Sequence, residues 1–137
     1  MNSSRLAMLL FCFIATVDGD TALASQPLNW EPQAKVIALR SDGRDVTPVL
    51  SGPPETVTMK SGFVVLAPGK SVGKHSTQQN EELLVILDGE GEMKFSNGSK
   101  LAIRANTALY CPPETEHNVT NTGTGSLRYV YVVARAK

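Results

Sequence analysis

Apolar residues in this chain come in short runs, and the runs are cut by a dense series of turn signals. Ser41-Asp42-Gly43, Ser51-Gly52-Pro53-Pro54, Pro68-Gly69, Asp88-Gly89, Asn97-Gly98, Pro112-Pro113 and Asn121-Thr122-Gly123 all interrupt it. Such residues preset φ, tolerate positive φ or hydrogen-bond their own backbone, which is why they punctuate strands. Between them the pattern predicts strands at residues 36–39, 46–50, 56–59, 63–67, 83–87, 92–95, 101–103 and 107–111, around Val119, and over 127–133. Residues 56–59 alternate polar with apolar, as a half-buried strand does. Pro48 cannot donate to a ladder and puts its strand at an edge. Asn97-Gly98 is a hairpin signal. No segment carries a helical repeat, so about ten short strands predict an all-β sandwich or barrel. Phe63, Val65 and Met93 are candidates for its core or lining. Tyr129 and Tyr131 share one face of the last strand and are expected to pack the core.

Composition narrows this reading. A chain of 137 residues that is 42% hydrophobic can bury one core. Its 13 basic and 13 acidic side chains balance without clustering, which argues against a nucleic-acid partner or a charged tail. At the amino end, Arg5 precedes the apolar residues 6–17, followed by Asp18-Gly19-Asp20 and Ala22-Leu23-Ala24. A positive start, a short apolar run and a small-x-small exit make a secretory signal over residues 1–24. The run falls short of the ~20 residues a spanning helix needs, although an uncleaved anchor is the rival reading. Cleavage leaves residues 25–137 as one domain with 12 basic and 11 acidic side chains, periplasmic or secreted and free of the membrane. Residues 25–32 read as an extended lead-in, with Trp30 as a packing anchor. Cys12 lies in the signal, so Cys111 is alone in the mature chain and no intrachain disulfide forms there. Cys111 reads as a small buried hydrophobe, with a Cys–His pair left open.

The chemistry-bearing residues lie between Gly69 and Asn121, a stretch that contains both histidines of the chain, His75 and His117. His75 and Thr77 are two apart and on a strand would face the same side. Glu82 opens the next strand. Two imidazoles and a carboxylate can hold a divalent metal on one face and leave positions open to a ligand. Glu81 would face away from Glu82. Glu114 and Glu116 read as loop surface charges, with acid/base roles as the alternative. One amide among Gln78, Gln79 and Asn80 is a further candidate for a site beside Thr77.

The spacing Gly69-x5-His75-Ser76-Thr77-x4-Glu82-x6-Gly89 resembles the first motif of the cupin superfamily, Gly-x5-His-x-His-x3–4-Glu-x6-Gly. The second, Gly-x5-Pro-x-Gly-x2-His-x3-Asn, aligns with Asn106, Pro112, Glu114, His117 and Asn121. Sixteen residues separate Gly89 from Asn106, similar to the short spacer of small bacterial cupins. The resemblance implies a double-stranded β-helix, a jelly-roll barrel with a metal near one open end. It implies His75, Glu82 and His117 as ligands, with Thr77 at the vacant fourth ligand position. Asn106 and Glu114 both stand where the family has glycine.

A 2-His-1-carboxylate set is associated with non-haem Fe(II) chemistry, and manganese, zinc, nickel or copper accept the same donors. One carboxylate against a divalent ion leaves a net positive centre, suited to an anionic or enediol-like small molecule. The expectation is an exported cupin with dioxygenase- or isomerase-type chemistry. The alternatives are a cupin that binds a sugar or small organic acid without catalysis, with or without metal, and a purely structural secreted domain. The resemblance also implies a possible homodimer.

Overall fold

The computed structural model describes residues 31–137. The expected signal over residues 1–24 and the expected anchor Trp30 lie outside the described residues. Among the described residues the chain forms nine strands and no helix. They are β1 (Val46–Ser51), β2 (Lys60–Leu66), β3 (His75–Ser76), β4 (Asn80–Asp88), β5 (Glu90–Phe95), β6 (Lys100–Arg104), β7 (Thr107–Cys111), β8 (Glu116–Asn121) and β9 (Leu127–Arg135). One antiparallel sheet has the order β1-β2-β9-β4-β7 and the other β3-β8-β5-β6. This is the all-β barrel expected from the turn spacing.

Alternation along β4 and β9 decides what each sheet buries. Glu82, Leu84 and Ile86 point inward from β4, while Glu81, Leu83, Val85 and Leu87 point out. On β9 the inward set begins Leu127 and Tyr129, and both are buried. Leu84 and Ile86 meet Val64, Leu66, Met93 and Val119 in one core that draws on both sheets. Burying each such side chain contributes roughly 1.5–3 kcal/mol before entropy is subtracted. Asn121 is the polar tie inside it, its amide donating to the carbonyls of Leu66 and Gly125, each at 2.8 Å.

Turn chemistry sets the ladders. Gly98 takes φ +85° in the hairpin between β5 and β6, with Phe95 N–H donating to Ser99 O at 2.9 Å. Gly89 takes φ +80°, and a Cβ there would stand 2.4 Å from the Ser126 carbonyl oxygen, so only glycine fits. Asn106 and Glu114 keep the left-handed backbone of the glycines they replace, at φ +63° and +55°. β1 is an edge strand, as Pro48 requires, and its pairing with β2 shifts register between Pro48 and Leu50.

Three expectations are corrected. Residues 36–39 form no strand; they stay extended and exposed, with Val36 fully in solvent. Residues 56–59 form no strand either, because the preceding chain closes a turn in which Glu55 and Thr56 N–H both donate to the Gly52 carbonyl. On β2 the side chains that join the shared core are Val64 and Leu66, while Val65, expected in the core or lining, is only half-buried. Phe63 is buried as expected, with the Arg128 guanidinium 5.5 Å from its ring centroid.

Candidate metal centre

The two histidines are far apart in sequence, yet β3 and β8 place them as direct partners: His75 pairs with His117 across the ladder. Their rings meet edge to face, with centroids 4.4 Å apart. Glu82 arrives from the inward face of β4 on the opposite sheet. One donor atom from each of His75, Glu82 and His117 lies within 4.8 Å of the others. His117 and Glu82 are buried and His75 is exposed, so the group spans from the barrel interior to its mouth.

The hydrogen bonds around the imidazoles select their tautomers. His75 Nδ1–H donates to the Gly73 carbonyl at 2.9 Å, and His117 Nδ1–H donates to the Thr115 carbonyl at 3.1 Å. Each ring then presents Nε2 as a lone pair, the state a metal ligand needs, with its other nitrogen oriented by a carbonyl. His117 Nε2 is buried and has no hydrogen-bond partner. It lies 3.1 Å from Glu82 Oε2, close to the carboxylate but not aligned with it as a donor. An orphaned buried nitrogen beside a buried carboxylate is a costly arrangement for an empty polar cluster and a natural one for a cation site. The donor set therefore fits a divalent ion. With no ion present, burial works against protonating His117, but the Glu82 carboxylate and the Thr115 carbonyl outweigh it and raise its pKa, so a proton and a cation compete for the same Nε2.

Thr77 lines the cavity beside the three candidate ligands. β3 ends at Ser76, and the Thr77 hydroxyl is spent on the loop opposite. It donates to the Pro112 carbonyl at 2.8 Å and accepts from Thr115 N–H at 2.9 Å. Thr77 thus clamps the loop that presents His117. Cys111 Sγ lies 3.4 Å from His117 Nδ1, so the Cys–His contact left open by the sequence does exist. Burial, then the Glu82 charge, push this thiol up to about 11, which keeps it protonated and unsuited to nucleophilic attack.

A cavity of about 300 Å³ opens onto the three candidate ligands. Ser76, Thr77, Asn80, Tyr129 and Tyr131 line it together with several aliphatic side chains. The two tyrosines thus serve both core and cavity, a role the sequence reading missed. Its signal was the shared inward face of Tyr129 and Tyr131 on the strand that neighbours Glu82. Gly62 makes room for Tyr131, since a Cβ there would stand 2.5 Å from its ring. Asn80 is the amide that reaches the cavity, its Nδ2 donating to the Thr77 carbonyl at 3.1 Å. Gln78 and Gln79 are exposed. Glu81 is outside, accepting from the Tyr110 hydroxyl at 3.1 Å. Glu114 is exposed, and Glu116 pairs with Lys74.

Comparison with known proteins agrees with this geometry. Residues 62–133, which include all three candidate ligands, match the Cupin domain family. The chain is 34% identical over 68 residues to the Oxalate-binding protein of Thermotoga maritima, a match covering 50% of this chain and 55% of that relative. The chain thus spans only about half the length of this relative. Among solved structures, a Methanocaldococcus jannaschii RmlC-like cupin family protein with a double-stranded β-helix fold superposes with a TM-score of 0.63. It is 19% identical, over 74% of this chain and 91% of that one. A predicted oxalate decarboxylase from Thermotoga maritima superposes with a TM-score of 0.53 at 23% identity, over 73% of this chain and 100% of that one. These structural likenesses establish the double-stranded β-helix. With its family motif and barrel both in place, this chain belongs to the cupin family.

Proposed function

We propose that His75, Glu82 and His117 hold one divalent metal ion and that the cavity above it takes a small organic acid for metal-dependent chemistry of dioxygenase or isomerase type. The observation that carries this reading is the pair of imidazoles with Nδ1 committed to carbonyls, His117 Nε2 lying 3.1 Å from the buried Glu82 carboxylate and a His75 ring nitrogen within 4.8 Å of both. The chemistry such an ion supplies is Lewis-acid polarisation of the ligand's oxygens, or O₂ activation where the ion is iron. The chain's own residues do the rest. Carbonyls of Gly73 and Thr115 orient the rings, Thr77 holds the His117 loop, and the aliphatic walls exclude water. Screening metal-loaded protein with small keto and hydroxy acids, by oxygen electrode and by NMR of products, tests the activity. Turnover that disappears in Glu82→Gln supports it; turnover that survives in Glu82→Gln rules it out.

A second reading, a binding module without catalysis, is favoured by the name of the Thermotoga maritima relative, Oxalate-binding protein. The same screen separates the two, because a binding module shifts ligand signals without forming product.

Self-association and export complete the proposal. The outer face of the five-stranded sheet exposes Leu83, Val85, Leu87 and Tyr110, an apolar patch on a sheet face that nothing covers among the described residues. Glu81 stands at one end of this face and Arg128 at the other. A second copy, related by a two-fold axis across the strands, sets Glu81 of each against Arg128 of the other. Light scattering is expected to show a dimer that Leu83→Arg converts to a monomer; a monomeric wild-type protein contradicts the pairing. Export rests on the pattern of residues 1–24, and amino-terminal sequencing of the mature protein tests it.

A further inference from the structure

We infer that the cavity selects a monoanionic chelating acid with a short apolar body, a 2-oxo or 2-hydroxy monocarboxylate, over a compact dianion such as oxalate. The inference deepens the metal-site reading and rests on it. Its basis is the charge inventory of the cavity wall. Among the described residues, Glu82 and the two histidines are the titratable ligand-type groups that line it, and neither lysine nor arginine does. The cations near the mouth are engaged elsewhere: Lys74 pairs with Glu116, and Arg135 donates to Gln79 Oε1 at 3.3 Å.

With a divalent ion beside the Glu82 carboxylate and neutral imidazoles, the centre carries one net positive charge. A monoanion brings it to neutrality. A dianion leaves a net negative charge in a partly buried site lined by no cationic side chain among the described residues, an arrangement penalised by desolvation. The wall points the same way. Val46, Val64, Val72, Leu84, Val119 and Val133 line the cavity, an aliphatic surface that oxalate has no carbon chain to use. Each methylene a ligand buries there is expected to tighten binding by about fourfold. Tyr129 and Tyr131 also line the cavity and add phenol hydroxyls, which carry no positive charge. As hydroxyl donors they suit one carboxylate.

The test uses cobalt(II)-loaded protein without a histidine tag, titrated with oxalate, pyruvate and α-ketoisocaproate. The visible absorption of the bound cobalt reports ligand entry, and gel filtration checks that the metal stays with the protein. α-Ketoisocaproate is expected to bind about tenfold tighter than oxalate or better, with pyruvate weaker than its longer homologue. Val46→Lys, which puts an ammonium on the wall from the edge strand β1, is expected to strengthen oxalate binding about tenfold relative to Val46→Met. Val72→Lys supplies the same charge from a loop if β1 does not tolerate it. Oxalate binding as tightly as α-ketoisocaproate in cobalt-loaded wild-type protein, or no gain for oxalate in either lysine variant, overturns the inference and leaves the metal site standing. Failure of cobalt to enter the wild-type protein overturns both.

Discussion

Replacing Thr77 by valine keeps the shape of the side chain and deletes its hydroxyl. Thr77 is 6% exposed, and its Oγ1 holds both the Pro112 carbonyl and the Thr115 N–H. Valine loses both hydrogen bonds and strands their partners. A buried group left unsatisfied costs about 1–3 kcal/mol, and the half-buried Thr115 side recovers part of that from water. The expected destabilisation is about 2–4 kcal/mol, a large share of the roughly 5–15 kcal/mol available to a domain. Thr77→Ser retains both bonds and loses one methyl, for about 1 kcal/mol. Urea denaturation of the metal-free protein, followed by far-UV circular dichroism, reads both variants at once. Because the clamped loop presents His117, Thr77→Val is also expected to weaken metal uptake. A valine variant within about 0.5 kcal/mol of wild type, or a serine variant as damaged as valine, would refute the clamp. Thr77→His then probes the family's fourth ligand directly, and it is expected to lower stability without raising metal affinity.

Two further outcomes follow from the backbone and the core. Glu114 is exposed at φ +55°, so Glu114→Gly relieves about 1–2 kcal/mol of left-handed strain against roughly 0.5–1 kcal/mol of added chain entropy. A net gain of about 0.5–1 kcal/mol is expected in the same urea assay, and a loss would contradict it. Cys111 is fully buried with its thiol pushed up to about 11, above the ordinary value. Its folded state therefore favours the neutral thiol: that contribution to stability is complete below about pH 8.5 and is lost as pH rises towards the folded value. The native thiol is expected to resist a disulfide exchange reagent at mildly alkaline pH and to react once the chain is unfolded in guanidinium. Rapid labelling of the folded protein would contradict this.

What the sequence made legible follows from which signals are local. The Asn97-Gly98 hairpin needs only two residues to declare itself, and Gly98 at positive φ is what the dipeptide implied. Glu82 facing inward and Glu81 outward follows from strand alternation alone. Val65 failed because residues 63–66 are apolar without interruption, and such a run carries no record of which face is buried. Residues 36–39 look like a strand by composition, but a strand also needs a free edge, and the sequence does not show that none takes them up. The site was legible in its residue types and spacing, since those residues carry the family motif. Its tautomers were not, because they depend on the Gly73 and Thr115 carbonyls, and every backbone carbonyl looks alike in sequence. The clamp made by Thr77 was not legible for a related reason: spacing shows a vacant ligand position, whereas the hydroxyl's partners lie more than thirty residues away.

Metal stoichiometry tests the central claim most directly. The mature protein, produced without a histidine tag, is to be loaded with iron, manganese, zinc, nickel or copper, desalted, and analysed by mass spectrometry beside His75→Ala and His117→Ala. About one ion per wild-type chain, lost in both variants while circular dichroism shows them folded, is the expected result. A folded wild-type protein that retains none of these metals, or a His117→Ala variant that retains a full complement, would contradict the metal centre.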